Sequence, residues 1–337
     1  MYHNFSDSIL FPKLIRVKDN LILAKFELMK ILPAKHIVEI GIRNHQINPE
    51  IPIVETSSGT FALGLGIVCA ELGIPFFIIS DPAIDHYLER RLIQLGGKVQ
   101  IIPEAFTQDN PQIMRLNVLK EYLKNNPGAY WTRQYDNLEN QDAYAVFAEY
   151  LVNELGDNFT LVGAVGSGGS TCGTIKKIRD CNPSARLIGV DTFGSVLFGL
   201  VNKKRILRGL GNSLLPKNLC HYYFDEVHWV SANDAFFYTK KLNSEMAIFC
   251  GPTTGATYQV AKWVAKKNPN ELVVFMSADT GCRYQGTVYS DAWLSKNNLC
   301  SPPAVSPIKV YHPLEVGSVW SYFEWKRRRY EEVITTP

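Results

Sequence analysis

The sequence predicts an α/β protein built as two doubly wound parallel-sheet lobes with helices on both faces. Three observations carry that reading. Strand-like apolar runs alternate with helical stretches along most of the chain. The strand runs are continuously apolar, as strands covered on both faces must be. Two of them end in loops of glycine and hydroxyl residues that lead straight into helices, and ligands of such folds bind beyond the carboxyl ends of strands.

In chain order, Ala34 to Ile42 reads as a helix and Ile51 to Glu55 as a short strand. Ser58 to Leu72 is a helix rich in Ala, Leu and Gly, with Ser57 or Ser58 as its cap. Ile74 to Ile79 is a buried strand, and His86 to Leu95 an amphipathic helix ended by Gly96-Gly97. Lys98 to Ile102 (strand), Gln112 to Lys124 (helix), Ala129 to Thr132 (strand) and Asp142 to Leu155 (helix) follow. The second half repeats the rhythm with strands at Phe159 to Val165, Ala185 to Val190 and Glu271 to Met276, and helices at Thr174 to Arg179 and Thr254 to Lys267. The expected domains are a smaller lobe over 30–145, a larger lobe over 9–29 plus 146–298, and a C-terminal extension over 299–337. That extension, with Pro302, Pro303, Pro307 and the basic run Lys326 to Arg329, reads as a solvated surface segment.

Composition narrows the function classes. A chain of 337 residues can bury a large core, and a formal net charge of +3 is too small to mark a nucleic-acid partner. No apolar run reaches membrane-spanning length, and the first residues lack a basic region followed by an apolar core. The seven cysteines are scattered and never spaced C-x-x-C, which fits reduced cytoplasmic thiols rather than a disulfide frame or metal site.

Four loops carry the chemistry. Gly166-Ser167-Gly168-Gly169-Ser170, between a strand and a helix, can aim backbone N–H groups and a helix dipole at a phosphate. There is no P-loop lysine after it and no clean G-x-G-x-x-G, so the phosphate of a cofactor suits it better than a nucleotide. Ser57-Ser58-Gly59-Thr60 opens a helix in the same way and suits a carboxylate. Thr280, past the last strand, can meet a ring nitrogen with a neutral hydroxyl. Lys35 opens a helix-like stretch, and a lysine amine near a positive helix end is primed for a Schiff base.

Together these loops resemble the fold type II pyridoxal phosphate enzymes of the cysteine synthase and cystathionine beta-synthase family, with their tryptophan synthase beta-like architecture. The resemblance spans Lys25 to Trp293. The family's lysine segment looks like Lys25 to Lys35, its T-S-G-N loop like Ser57 to Thr60, and its Q-[FY]-x-N segment like Gln134 to Asn137. Its phosphate loop is matched by Gly166 to Gly173, and its V-[ED]-x-x-G-S stretch by Val190 to Ser195. The later motifs are matched by Gly209-Leu210-Gly211, Gly251 to Ala256 and Asp279 to Tyr284. The resemblance implies pyridoxal 5'-phosphate as cofactor and small amino acids as substrates. It also implies a homodimer, with no nucleic acid, membrane or metal involved. It gives Lys35 the covalent hold on the cofactor and the substrate's α-proton, with Lys30 as the alternative. Gly166 to Ser170 would bind the cofactor phosphate and Thr280 its ring nitrogen. Ser57, Ser58, Gly59, Gln134 and Gly209 would serve the substrate. Two departures stand out: Thr60 replaces the family's Asn beside the ring hydroxyl, and Pro33-Ala34 replaces the Gly-Ser before the lysine.

The implied reaction is β-replacement on an O-activated L-serine (O-phosphoserine or O-acetylserine) through an aminoacrylate. The loop sequences resemble most the N-(2-amino-2-carboxyethyl)-L-glutamate synthase branch, which supplies 2,3-diaminopropionate for siderophore or antibiotic biosynthesis with an amine nucleophile such as L-glutamate. Arg133 and Arg208 are candidates for a substrate phosphate. A cysteine or cystathionine-type synthase with a thiol nucleophile remains open, as does a catalytically weak paralogue acting as a binding partner.

Overall fold

The computed structural model describes residues 1–103 and 111–334. In chain order its elements begin with α1 (Phe5–Ser8), β1 (Lys13–Lys18), β2 (Leu21–Lys25), α2 (Ile31–Arg43), β3 (Ile53–Thr56) and α3 (Thr60–Leu72). There follow β4 (Phe76–Ser80), α4 (His86–Gln94), β5 (Lys98–Ile101), α5 (Pro111–Asn125), β6 (Tyr130–Trp131), α6 (Glu139–Asp142) and α7 (Ala145–Leu155). Next come β7 (Thr160–Ala164), α8 (Gly169–Cys181), β8 (Arg186–Thr192), β9 (Glu226–Val230), α9 (Ala232–Met246), α10 (Pro252–Lys267) and β10 (Val273–Ser277). The chain closes with α11 (Asp291–Lys296), β11 (Ile308–Lys309), β12 (Ser321–Phe323) and α12 (Tyr330–Ile334). Two compact units result: Met1–Leu10 with Leu28–Ala143, and Phe11–Glu27 with Tyr144–Pro337.

The first unit holds a four-stranded, all-parallel sheet in the order β5-β4-β3-β6. Strands β3 and β4 are buried along their whole length; β4 is apolar without alternation up to Ser80, whereas β3 buries Glu55 and Thr56 at its carboxyl end. The chain runs outward through β3, β4 and β5, then returns to lay β6 on the other side of β3. That reversal leaves a crevice at the carboxyl ends of β3 and β6, the place where doubly wound sheets hold ligands.

The second unit holds an eight-stranded sheet in the order β1-β2-β10-β7-β8-β9-β12-β11. Its centre, β2-β10-β7-β8-β9, is parallel. Strand β1 pairs antiparallel with β2, and β12 antiparallel with β9. Here the chain runs β7, β8, β9 in one direction and returns with β10 beside β7, so the strand order reverses between β7 and β10.

Three local expectations change. Helix α8 begins at Gly169 rather than Thr174, so the glycine loop itself enters the helix. The cap of α3 is Gly59, not Ser57 or Ser58; the Ser57 hydroxyl instead accepts from Gly59 N at 3.3 Å and tightens the turn. The C-terminal segment is not a solvated extension. It adds β12 and β11 to the sheet edge and buries Trp320 and Trp325 to 1% and 0% exposure. Trp320 Nε1 donates to His228 Nδ1 at 3.0 Å, and His228 Nε2 lies 2.6 Å from Glu226 Oε1. Trp325 packs edge-on against Phe198 and Phe323. Within the basic run, Arg327 pairs with Asp225 at 2.8 Å and Arg328 lies over the Phe323 ring. Two buried Trp side chains outweigh the solubility of the surrounding charges.

Candidate functional site

In the second unit the glycine loop leaves β7 at its carboxyl end, on the reversal side of the sheet. Gly168 has φ +84°, and a Cβ there would come within 2.6 Å of Asn218 O, so only glycine fits. The turn places Gly169 N against Ser167 Oγ at 3.3 Å and starts α8 at once. Gly166, Ser167, Gly168, Gly169 and Ser170 thus lie together at the N-terminus of α8. Gly209, at φ +88°, lies beside it: a Cβ on Gly166 would sit 3.4 Å from Gly209 O. The Gly209–Asn212 loop is anchored by Gly211 N to Val165 O at 2.8 Å and by Asn212 N to Ser195 Oγ at 3.1 Å.

Asp191, at the end of β8, is fully buried, and its Oδ2 has no partner among the described residues. Burial pushes its carboxyl up to about 7, against the pull of the Thr192 N–H, the Ser195 hydroxyl and the Arg205 charge. Thr280 is half-buried at the end of β10 and bridges Cys250. The neighbouring Asp279 accepts from the Tyr284 hydroxyl at 2.8 Å, which fixes the turn that carries Thr280.

In the first unit the Ser57–Thr60 loop leaves β3 and Gln134 follows β6, so both stand at that sheet's reversal. Gln134 Nε2 donates to Thr56 O at 3.0 Å. Beneath them lies Glu55, 1% exposed, which the sequence reading placed only as the last residue of a strand. Arg115 of α5 was also missed. Its side chain is 7% exposed, with Nη1 3.2 Å from Asp81 Oδ2 and 3.3 Å from Ser58 Oγ; its Nε is buried with no partner among the described residues. Arg133 and Arg208, the two cations expected near a substrate phosphate, are solvent-exposed.

The structure separates the two lysines. Lys35 sits inside α2 with its Nζ on the Asp7 carboxylate, 3.4 Å from Ser6 Oγ and 3.6 Å from Glu39 Oε1. Burial pulls its amine down, but the Asp7 and Glu39 carboxylates prevail and hold it above the ordinary lysine value. A cation fastened to two carboxylates is a poor nucleophile. Lys30 is the N-cap of α2, and a Cβ on Gly64 of α3 would stand 2.8 Å from its carbonyl, so only glycine permits this close helix approach. No ion pair or hydrogen bond engages its amine among the described residues, and burial pulls its pKa down to about 8. The helix begins at Ile31, three residues earlier than expected, and this puts Lys30 rather than Lys35 at its positive end. Of the two lysines weighed in the sequence, Lys35 is thus paired with carboxylates inside the helix and Lys30 is buried at the helix start.

Residues 27–279 match the family described as "Pyridoxal-phosphate dependent enzyme". The N-(2-amino-2-carboxyethyl)-L-glutamate synthase of Cupriavidus metallidurans is 30% identical over 306 residues, which are 85% of this chain and 90% of that protein. Its counterpart in Ralstonia nicotianae is 30% identical over 284 residues, 82% and 84% of the two chains. Among solved structures, the O-acetylserine dependent cystathionine beta-synthase of Helicobacter pylori superposes with a TM-score of 0.79 at 22% identity, covering 86% of this chain and 99% of that one. O-ureido-L-serine synthase superposes with a TM-score of 0.76 at 21% identity over 88% and 99%.

Proposed function

Because the chain belongs to the pyridoxal-phosphate dependent enzyme family, we propose that it catalyses β-replacement on an O-activated L-serine with an amine nucleophile such as L-glutamate. The observation that carries the choice of nucleophile is the similarity, along nearly the whole chain, to relatives named for that glutamate-consuming synthesis. The residues present fit the cofactor. The Gly168 turn leaves no room for a side chain, the start of α8 offers backbone donors, and the Lys30 amine is unpaired among the described residues and of lowered pKa.

When bound, pyridoxal phosphate supplies the electron sink that makes the substrate's α-proton removable. This chain's residues do the rest. Gly166 to Ser170 hold the phosphate. Thr280 presents a hydroxyl to the ring nitrogen, and Thr60 offers a second hydroxyl. Lys30, a neutral amine in a substantial fraction of molecules near pH 8, carries the cofactor and takes the α-proton. The N-terminus of α3, with Ser57, Ser58, Gly59 and Gln134, holds the substrate carboxylate. Arg115 brings a charge to Ser58 that suits an anionic leaving group. No described helix is long and apolar enough to cross a membrane, and a cytoplasmic homodimer completes the proposal.

The test supplies cofactor-loaded protein with O-phospho-L-serine or O-acetyl-L-serine, each with L-glutamate or sulfide, and identifies products by mass. The expected product joins the serine carbon skeleton to the glutamate amine. Turnover with sulfide alone would instead make the protein a thiol-using synthase, and no turnover with any pair would favour an inert paralogue.

A further inference from the structure

Strands β3 and β6 pair only at Ile53 with Tyr130 and Val54 with Trp131. One residue later the ladder stops, because this is where the sheet's order reverses and the chains part. Both chains then lead into candidate substrate loops, with no backbone pairing to set their spacing. Glu55 stands at that point, 1% exposed. Its Oε1 accepts from Thr56 N at 2.6 Å and Trp131 Nε1 at 3.3 Å. Its Oε2 accepts from the Thr132 hydroxyl and from Gln134 N at 3.1 Å.

We propose that Glu55 is a positioning residue for the substrate carboxylate: its side chain replaces the missing ladder and sets Gln134 at a fixed distance from the Ser57–Thr60 loop. The proposal rests on the reading of these two segments as the carboxylate site.

The donor pattern is selective. Two of the groups facing Glu55 from the β6 side, Trp131 Nε1 and Gln134 N, can only donate, and the Thr132 hydroxyl donates as well. A carboxylate accepts at both oxygens; a glutamine of the same shape accepts at one and places an amide N–H against the other donor. If its carbonyl stays on Thr56 N and Trp131, its amide meets Gln134 N, while the Thr132 hydroxyl can rotate to accept. The Gln134 backbone is therefore the group released. Gln134 is held from its other side, since Asn140 Nδ2 donates to its carbonyl and Asn137 Nδ2 donates to Thr132 O at 3.1 Å. With Glu55 cut, the segment keeps its outer anchors, and its tie to β3 is reduced to the bond from the Gln134 side chain to Thr56 O, the very side chain the substrate would need. Burial of Glu55 raises its pKa against these donors, so the chain bears a cost to keep a carboxyl there.

The experiment measures KM for the serine substrate and kcat in E55Q, Q134A and the double variant. Leu65→Ala in the core of the same unit serves as a purely structural control. If Glu55 acts through Gln134, E55Q and Q134A each raise KM about tenfold with kcat moved less than about threefold, and the double variant is no worse than the larger single. Leu65→Ala lowers the melting temperature and leaves KM in place. Thr132→Ala, a milder cut at the same carboxylate oxygen, carries the test if E55Q yields no folded protein: KM rises, or the proposal falls. A normal KM in E55Q, a double variant whose KM change equals the product of the singles, or a Leu65→Ala KM that rises with lost stability overturns the proposal. A normal KM in Q134A removes the carboxylate-site reading itself and takes the proposal with it.

Discussion

The two units solve the same problem at the same point of their sheets with different materials. In each, strand order reverses beside one central strand, β3 in one and β7 in the other, and a loop leaves that strand to open a helix. In the second unit the loop is almost all backbone. Gly168 turns at φ +84°, Gly209 crowds Gly166, and the N-terminus of α8 supplies the donors. In the first unit the loop is braced by buried side chains: Glu55 under donors from Thr56, Trp131, Thr132 and Gln134, and Arg115 between Asp81 and Ser58. Under the proposed reading, the backbone cradle would meet a constant ligand, the cofactor phosphate. The side-chain cradle can be altered residue by residue, as substrate discrimination requires.

The comparison breaks most visibly at Lys30. Lys30→Ala should lower turnover by about a thousandfold or more, while Lys35→Ala stays within severalfold of wild type. Steady-state rates on cofactor-loaded protein check this, and equal losses in both variants would show that charge on α2, rather than one amine, matters.

The next effect belongs to the backbone cradle. Gly168→Val forces a branched residue to φ +84° against Asn218 O and Leu219 Cα. It adds strain of about 1–3 kcal/mol to the loop, so retention of the cofactor on gel filtration should fall about tenfold or more. Retention at the wild-type level would mean that the phosphate is held by side chains after all.

A smaller, pH-dependent effect comes from Asp191. Its folded pKa of about 7 lies above the ordinary aspartate value of 3.8. Its stabilising contribution is therefore complete below that ordinary value and is lost as pH rises through about 7. Thermal melts between pH 4 and 8 should show wild type losing stability relative to Asp191→Asn as pH rises. Parallel curves would place a neutralising partner beside Oδ2. The smallest effect is Asp7→Ala, which opens a half-exposed ion pair on Lys35. It should cost less than about 1 kcal/mol in chemical denaturation and leave the cofactor spectrum unchanged.

The same contrast explains what the sequence reveals. The glycine loop is legible because its determinants are contiguous: turn, donors and helix start lie within Gly166 to Gly173. Strands β4, β7, β8 and β10 are legible because burial on both faces makes them largely apolar, although β1, β2 and β9 escaped notice. Glu55 and Arg115 are not legible as site residues. Glu55 acts on donors from Thr132 and Gln134, and Arg115 reaches Ser58 from a helix far along the chain. The sequence ranks Lys35 above Lys30 because both lie at the same helix start, and only tertiary packing shows that Lys35 meets Asp7 while the Lys30 amine meets no ion pair or hydrogen bond among the described residues. The tail misled because its charges are local, whereas its two tryptophans are buried by pairing with β9 some ninety residues earlier.

The measurement that tests the account most directly is borohydride reduction of the cofactor-loaded protein, followed by proteolysis and mass mapping of the modified lysine. The account predicts the pyridoxyl label on the peptide that carries Lys30, with Lys35 unmodified. A label on Lys35, or none on either peptide despite bound cofactor, would contradict it.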